Sequence, residues 1–452
     1  MPTITITLLS KTEQNNESLY KYSRQLPTPA KSFQQLSKEF PSRMFGVPTP
    51  PDALPPQTRL KNFFFIQRMC FSAIGLDPTS IKRTMYRPWM TFIPLLSLMG
   101  LLGPMGVYAF NYLQIDLGKA ITALSPFWQS LLSTVKFFVF MVNRKKIVEL
   151  VRKVWSWTLE STEEELKIID EENKGDARIS LFYYSMVNIT GVLAALAPLA
   201  IAAIYALQGR NFMESLDAPF KAEYFYDIRA SYMAYILCYT WNVVGIHYIL
   251  NGALSIDTLY SWCVHNISAQ FRILNLRYRQ LSEKFIAHHA AGNLNEKKFL
   301  ESLTSCVNYH RRIIKMSERF SEVYKGLVFI KFLVSCLQLA CLSFIIPLGG
   351  EIADQSFNLS FLIAVTTQLM LYCHGGQKIQ DSSTSVNEAI YEYFPWHDMS
   401  INSQKILMLT MIRAQKPCDI RGIFFTTDLS LFVWVYRTAA SFMTMLMSME
   451  DK

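Results

Sequence analysis

Three ionisable residues stand inside long apolar runs: Lys136, Lys331 and Arg437. A charge near a bilayer centre costs at least about 3 kcal/mol, so such residues face protein or water, or reach for an interface. Lys136 and Lys331 each lie about two turns from the end of their run, and they are expected to snorkel to that interface. Arg437 lies near the middle of its run and is expected to face a bundle interior or a water-filled path. Ser441, Thr444 and Ser448 follow it at helical spacing, which puts all four on one face. Such a small-polar stripe reads as pore lining or as close helix packing.

Catalytic chemistry finds little support. His288 and His289 are adjacent, so they diverge on a helix and lack ligand partners at metal spacing. Gly349-Gly350 and Gly375-Gly376 read as loop glycines at segment ends, and neither belongs to a phosphate loop. No enzyme, cofactor or metal site is expected. A binding role fares better: Phe127, Trp128, Leu131, Thr190, Ala194, Tyr232, Tyr235, Thr366 and Leu369 are aromatic, small or apolar residues in four of the runs. A mostly apolar pocket with sparse polar groups suits a small lipophilic ligand, although plain packing uses the same residue types.

The elements that must position these residues are membrane helices. The chain has 452 residues, 51% of them hydrophobic, and the apolar residues come in long blocks. Seven blocks are long enough to cross the bilayer as helices: 89–112, 120–142, 179–207, 232–254, 324–348, 357–374 and 424–447. Prolines inside them (Pro94, Pro104, Pro126, Pro198, Pro347) are tolerable where neighbouring helices satisfy the freed carbonyls. The fold class is therefore all-α, a seven-transmembrane bundle. The tail and the second, fourth and sixth connections hold most of the lysines and arginines, which predicts a cytoplasmic N-terminus and an extracellular C-terminus.

The net charge of +9 could suggest nucleic acid, but the basic residues form no arm or aromatic-interleaved patch, so no nucleic-acid partner is expected. The eight cysteines lie in apolar blocks or basic connections, and no disulfide framework is predicted. Residues 1–60 are polar and proline-rich, and 61–76 form a short amphipathic or interfacial stretch, so 1–88 reads as a cytoplasmic tail with an interfacial segment. Segments one to four (89–254) form the ligand-binding bundle. The connection 255–323 carries helical apolar spacing and is read as two helices extending segments four and five into a cytoplasmic inter-subunit anchor. Segments five and six occupy 324–375, a cytoplasmic connection 376–423, and a pore-lining segment 424–452. Glu214, Asp217, Glu223, Asp227, Glu351, Asp354, Glu450 and Asp451 would make the outer face acidic. That would concentrate cations, or simply reflect the depletion of basic residues there.

Three stretches resemble the insect odorant receptor family: KFFVFMVNRKKIVELV from Lys136, YCHGGQKIQDSSTSVNEAIYEYFPW from Tyr372, and KILMLTMIRAQKPCDIRG running into FFTTDLSLFVWVYRTAASFMTML. The resemblance spans nearly the whole chain from the first segment. It implies a subunit of a tetrameric cation channel in the plasma membrane of olfactory sensory neuron dendrites, usually assembled as a heterotetramer with a shared co-receptor. Membrane lipid, permeant cations and an odorant or pheromone would be its other partners. It also implies that the last helix surrounds the pore, with Thr444 and Met447 or Ser448 at the gate, and that ligand binds between segments two and six. The gate positions and the shorter fourth connection depart from the co-receptor, so the chain resembles a tuning subunit, in general style like moth receptors, including those for long-chain fatty pheromones. A secondary transporter is the rival class, but no internal repeat is seen.

Overall fold

A computed structural model describes residues 62–76, 88–209, 216–228, 230–349 and 351–450. The tail 1–60, Glu214, Gly350 and Asp451 lie outside the described residues. The described chain is helical: α1 (Phe65–Ala73), α2 (Pro88–Tyr112), α3 (Leu117–Glu160), α4 (Glu163–Leu207), α5 (Tyr232–Ala290), α6 (Glu296–Leu348), α7 (Ile352–Tyr393), α8 (Ile401–Ala414) and α9 (Leu429–Glu450).

Helices α2 to α7 contain the first six apolar blocks, and α9 the seventh from Leu429 onward, residues 424–428 preceding the helix. Six are long and apolar enough to cross a membrane by composition alone, and α3 falls short. The reason lies in Ser125, Ser130, Ser133 and Lys136, which lower its hydropathy yet are all buried inside the bundle. The prolines sit inside helices, as Pro94, Pro104, Pro126, Pro198 and Pro347 all do.

Helices α3 to α7 run on far beyond their apolar blocks. Only Ser161 and Thr162 separate α3 from α4, and Thr162 with Glu165 forms a capping box that starts α4. Asn295 caps α6 by accepting a hydrogen bond from the Lys298 N–H. Gly349 ends α6 at φ +78°, a left-handed conformation that glycine adopts without steric cost. The extensions form one end of the molecule, called here the extended end. Helix α5 lies at the centre, packing on α1, α2, α3, α4, α6 and α7.

Two local features differ from the sequence reading. The stretch 62–76 packs inside rather than lying alone at an interface: Phe64, Gln67, Cys70, Phe71, Ile74 and Leu76 are all buried, with Phe64 against Trp155 and Trp262. Gly375 and Gly376 are interior residues of α7, not loop glycines, and they let Tyr260 and the Thr427 backbone approach that helix. All eight cysteines are buried and unbonded.

Candidate functional site

Helices α4 and α5 run antiparallel and meet along a polar seam. Glu165 pairs with Arg277 Nε at 2.6 Å, and the guanidinium lies 4.0 Å over the Tyr309 ring. Glu172 takes Arg272 at 2.9 Å, Lys378 of α7 at 2.8 Å and His265 Nδ1 at 3.0 Å. Asn173 and Asn266 exchange amide hydrogen bonds of 3.4 and 3.2 Å. Asp176 accepts from Ser261 at 2.5 Å, Ser180 at 3.1 Å and the α1 residue Gln67 at 3.1 Å. Numbers rise along α4 as they fall along α5, so every rung tests one register.

Glu172 precedes the apolar block of α4 and shows the seam's electrostatics. Burial opposes its ionisation, but the His265, Lys378 and Arg272 hydrogen bonds outweigh that and hold its carboxyl at about 2.

The last rung is a node of fully buried groups. Asp257 accepts from Lys136 of α3 at 2.5 Å, Tyr183 of α4 at 2.8 Å, Tyr372 of α7 at 2.6 Å, and Gln368 of α7. The Gln368 oxygen in turn accepts from Lys331 of α6. Lys136, Asp257 and Lys331 all have 0% exposure, which corrects the snorkelling expectation for both lysines. A buried carboxylate with its hydrogen-bonding positions filled by donors, one of them a cation, offsets the desolvation that would otherwise expel a lysine to the interface. Asp257 escaped the sequence reading because it was placed in a watery connection. Two cations in apolar runs and one carboxylate in an equally apolar stretch of α5 were the available signal.

The nine candidate ligand residues do not converge on one place. Phe127 and Ala194 join a cluster with Leu98, Leu101, Met105, Phe220, Ile246 and Ile249. Thr190 lies one turn from Ala194, and its hydroxyl hydrogen-bonds Ser360 of α7 at 2.8 Å. Trp128 packs instead with Ile121, Cys341, Phe344 and Ile345. Leu131 is half-buried on α3, and Leu369 sits in the main core. Tyr235 is buried beside Ala202 and Leu216, whereas Tyr232 is 59% exposed. The Thr366 hydroxyl is committed to Tyr436 of α9. Sequence reasoning missed Phe220, a loop residue that inserts into the Phe127 cluster.

The last helix is the least covered of the six most apolar helices: 17% of its apolar window is buried, against 67% for α6. Arg437, Ser441, Thr444 and Ser448 are exposed, and Arg437 and Ser441 line a groove of about 390 Å³. Met447 turns the other way and packs toward Ile121 and Ile345. At the end opposite the extensions, Asp217 pairs with Lys221 at 2.6 Å, Glu223 accepts from Asn111 at 2.6 Å, and Glu351 accepts from Tyr205. Among the described residues no group of three His, Cys, Asp or Glu side chains could hold a metal.

The family described as 7tm Odorant receptor matches residues 116–440. Odorant receptor 45a of Drosophila melanogaster is 30% identical over 391 residues, covering 86% of this chain and 99% of that protein. Odorant receptor 9a of the same species is 27% identical over 387 residues, covering 85% and 95%. The fold is similar to that of the insect olfactory receptor OR5 from Machilis hrabei in complex with eugenol, with TM-score 0.70 at 14% identity over 87% of this chain and 98% of that one.

Proposed function

The chain belongs to the 7tm odorant receptor family, receptors rather than enzymes, and from that premise we propose that it is the ligand-tuning subunit of an odour-gated, non-selective cation channel. Its N-terminus and extended end lie in the cytosol, its C-terminus outside, in the plasma membrane of olfactory sensory neuron dendrites. It assembles with a co-receptor as a heterotetramer, the α5–α6 extensions (255–323) serving as the inter-subunit anchor.

The observation that carries this reading is the free polar face of α9. A membrane helix that turns Arg437 away from its own bundle needs water or other subunits there, because lipid cannot solvate the charge; Ser441, Thr444 and Ser448 share that face, their hydroxyls donating to carbonyls of the same helix. A central pore ringed by one such helix per subunit supplies both, with Thr444 and Ser448 at the gate and Met447, the other gate candidate, packed back against Ile121 and Ile345.

Of the nine candidate residues, Phe127, Thr190 and Ala194 lie together, and a small volatile lipophilic odorant or pheromone binds there. The Phe127–Ala194 cluster is the part of that set already assembled. Ligand that prefers the open state shifts the closed-to-open equilibrium, since only differential affinity can move it.

Whole-cell current tests the reading in cells expressing this chain with and without an insect co-receptor, perfused with volatile alcohols, aldehydes and acetates. Ligand-evoked, non-selective cation current that needs both subunits is expected. Current from this chain alone would overturn the co-receptor partnership. Silence to every ligand, with both subunits at the surface, would count against the channel reading itself.

A further inference from the structure

The node at Asp257 is placed to do more than hold helices together. It joins α3, α4, α5, α6 and α7 in one set of hydrogen bonds. Within it, both ends of the Gln368 amide are engaged: the nitrogen donates to Asp257, and the oxygen accepts from Lys331. The amide cannot turn without breaking both bonds inside a sealed core, where each loss leaves a buried polar group unmatched.

Two residues earlier on α7, the Thr366 hydroxyl pairs with the Tyr436 hydroxyl of α9. Positions two apart on a helix point to nearly opposite faces. Helix α7 is therefore gripped on one face by the charged node and on the other by the last helix, at a residue adjacent to Arg437. The cation-bearing α6 also packs directly on α9. Bonds of this kind are either made or broken, so the node suits an element with two discrete arrangements better than a gradual deformation does.

Resting on the channel reading above, we propose that Asp257 is a positioning residue for gating. Its node fixes the placement of α7 and, through the Thr366–Tyr436 contact, sets the closed-to-open balance of the last helix. Ligand bound near Thr190 and Ser360 would act on α7 about two turns before Gln368 on the same helix.

The test uses this chain with co-receptor at matched surface density. Three variants are compared: Tyr436→Phe, Thr366→Val, and Lys136→Met combined with Asp257→Leu. The last removes the charge pair while keeping apolar bulk, an exchange that buried ion pairs often tolerate. The readouts are the ligand concentration for half-maximal current and the rate at which an impermeant thiol reagent modifies Ser441→Cys. That rate needs no ligand, and the native cysteines are all buried.

Each variant is expected to shift half-maximal concentration by between about 2- and 30-fold and to change the thiol rate. Tyr436→Phe combined with the node variant is expected to shift by less than the product of the two separate shifts, because they act on one path. Unchanged sensitivity and thiol rate in all variants would overturn the proposal, as would shifts that simply multiply. Should the wild type carry no current, the channel reading fails, and the thiol rates alone decide whether the node reaches α9. Should the node variant not reach the surface, Gln368→Met takes its place under the same criteria.

Discussion

The α4–α5 pair is built from two unlike halves. From Glu165 to Tyr183 against Asp257 to Arg277, the helices are joined by ion pairs and directional hydrogen bonds between buried groups. From Thr190 to Leu207 against Tyr232 to Leu254, they meet mainly through small and aliphatic residues such as Gly191, Ala194, Ala202 and Ile249. Apolar burial has no direction and tolerates repacking, whereas the rungs of the seam are satisfied in one alignment only. The difference teaches that one helix pair can be rigid in register at one end and adaptable at the other, so the loose half can admit ligands while the seam fixes the reference frame.

Removing one member of the node should test this contrast most severely. Lys136→Ala leaves Asp257 buried without its cation, which costs about 3–5 kcal/mol. Loss of surface expression and a lower melting temperature in detergent are expected. A melting temperature equal to that of the wild type would mean that the seam does not hold the frame.

Glycine substitutions sharpen the comparison, because the same methyl meets backbone when added on α7, one turn past Tyr372 of the node, and a side-chain end when added in the loose half of the α4–α5 pair. At Gly376 it runs into the Thr427 backbone, which cannot rotate away, and a loss of about 1–3 kcal/mol is expected. At Gly191 of α4 it meets the end of the Leu250 side chain of α5, which can turn, and the helix gains about 0.5–1 kcal/mol from replacing glycine. Gly191→Ala should therefore lie close to neutral in thermal melts. Equal losses at the two sites would erase the proposed difference in rigidity.

The smallest effect belongs to Glu172→Gln. The Glu172 carboxyl lies at about 2 in the folded chain, below its ordinary 4.5, so its ionised form stabilises the fold above that ordinary value. That contribution falls away as pH drops from 4.5 toward about 2. Melting temperature below pH 4.5 should fall more steeply for wild type than for the variant; parallel curves would show that the seam's charges do not couple to folding.

The apolar blocks made seven helices legible, because hydropathy integrates over about 20 residues and survives local detail. It did not show that α3, α4 and α7 continue as unbroken helices, since their polar extensions carry no such signal; the extensions of α5 and α6 were read instead from the helical apolar spacing in 255–323. The seam escaped for a related reason. Glu172, Asp176 and Asp257 were taken as solvated, although 165, 172, 176 and 183 share a face of α4 and 257, 261, 265 and 272 one of α5. Of the candidate ligand residues, Phe127 and Ala194 fell together while Tyr232 faced outward. Residue type narrows such a list, but helix rotation and tilt decide which members meet.

The Lys136–Asp257 pair also imposes an order on the making of the protein. The ammonium leaves the ribosome 121 residues before its carboxylate. Helix α3, whose composition alone does not mark it as a membrane span, must therefore wait for all of α4 and nearly half of α5 to be synthesised before its charge is matched. Until then the Lys136 ammonium lacks the carboxylate that matches it in the folded chain. The node thus ties the final seating of α3 to the arrival of a helix two further along the chain.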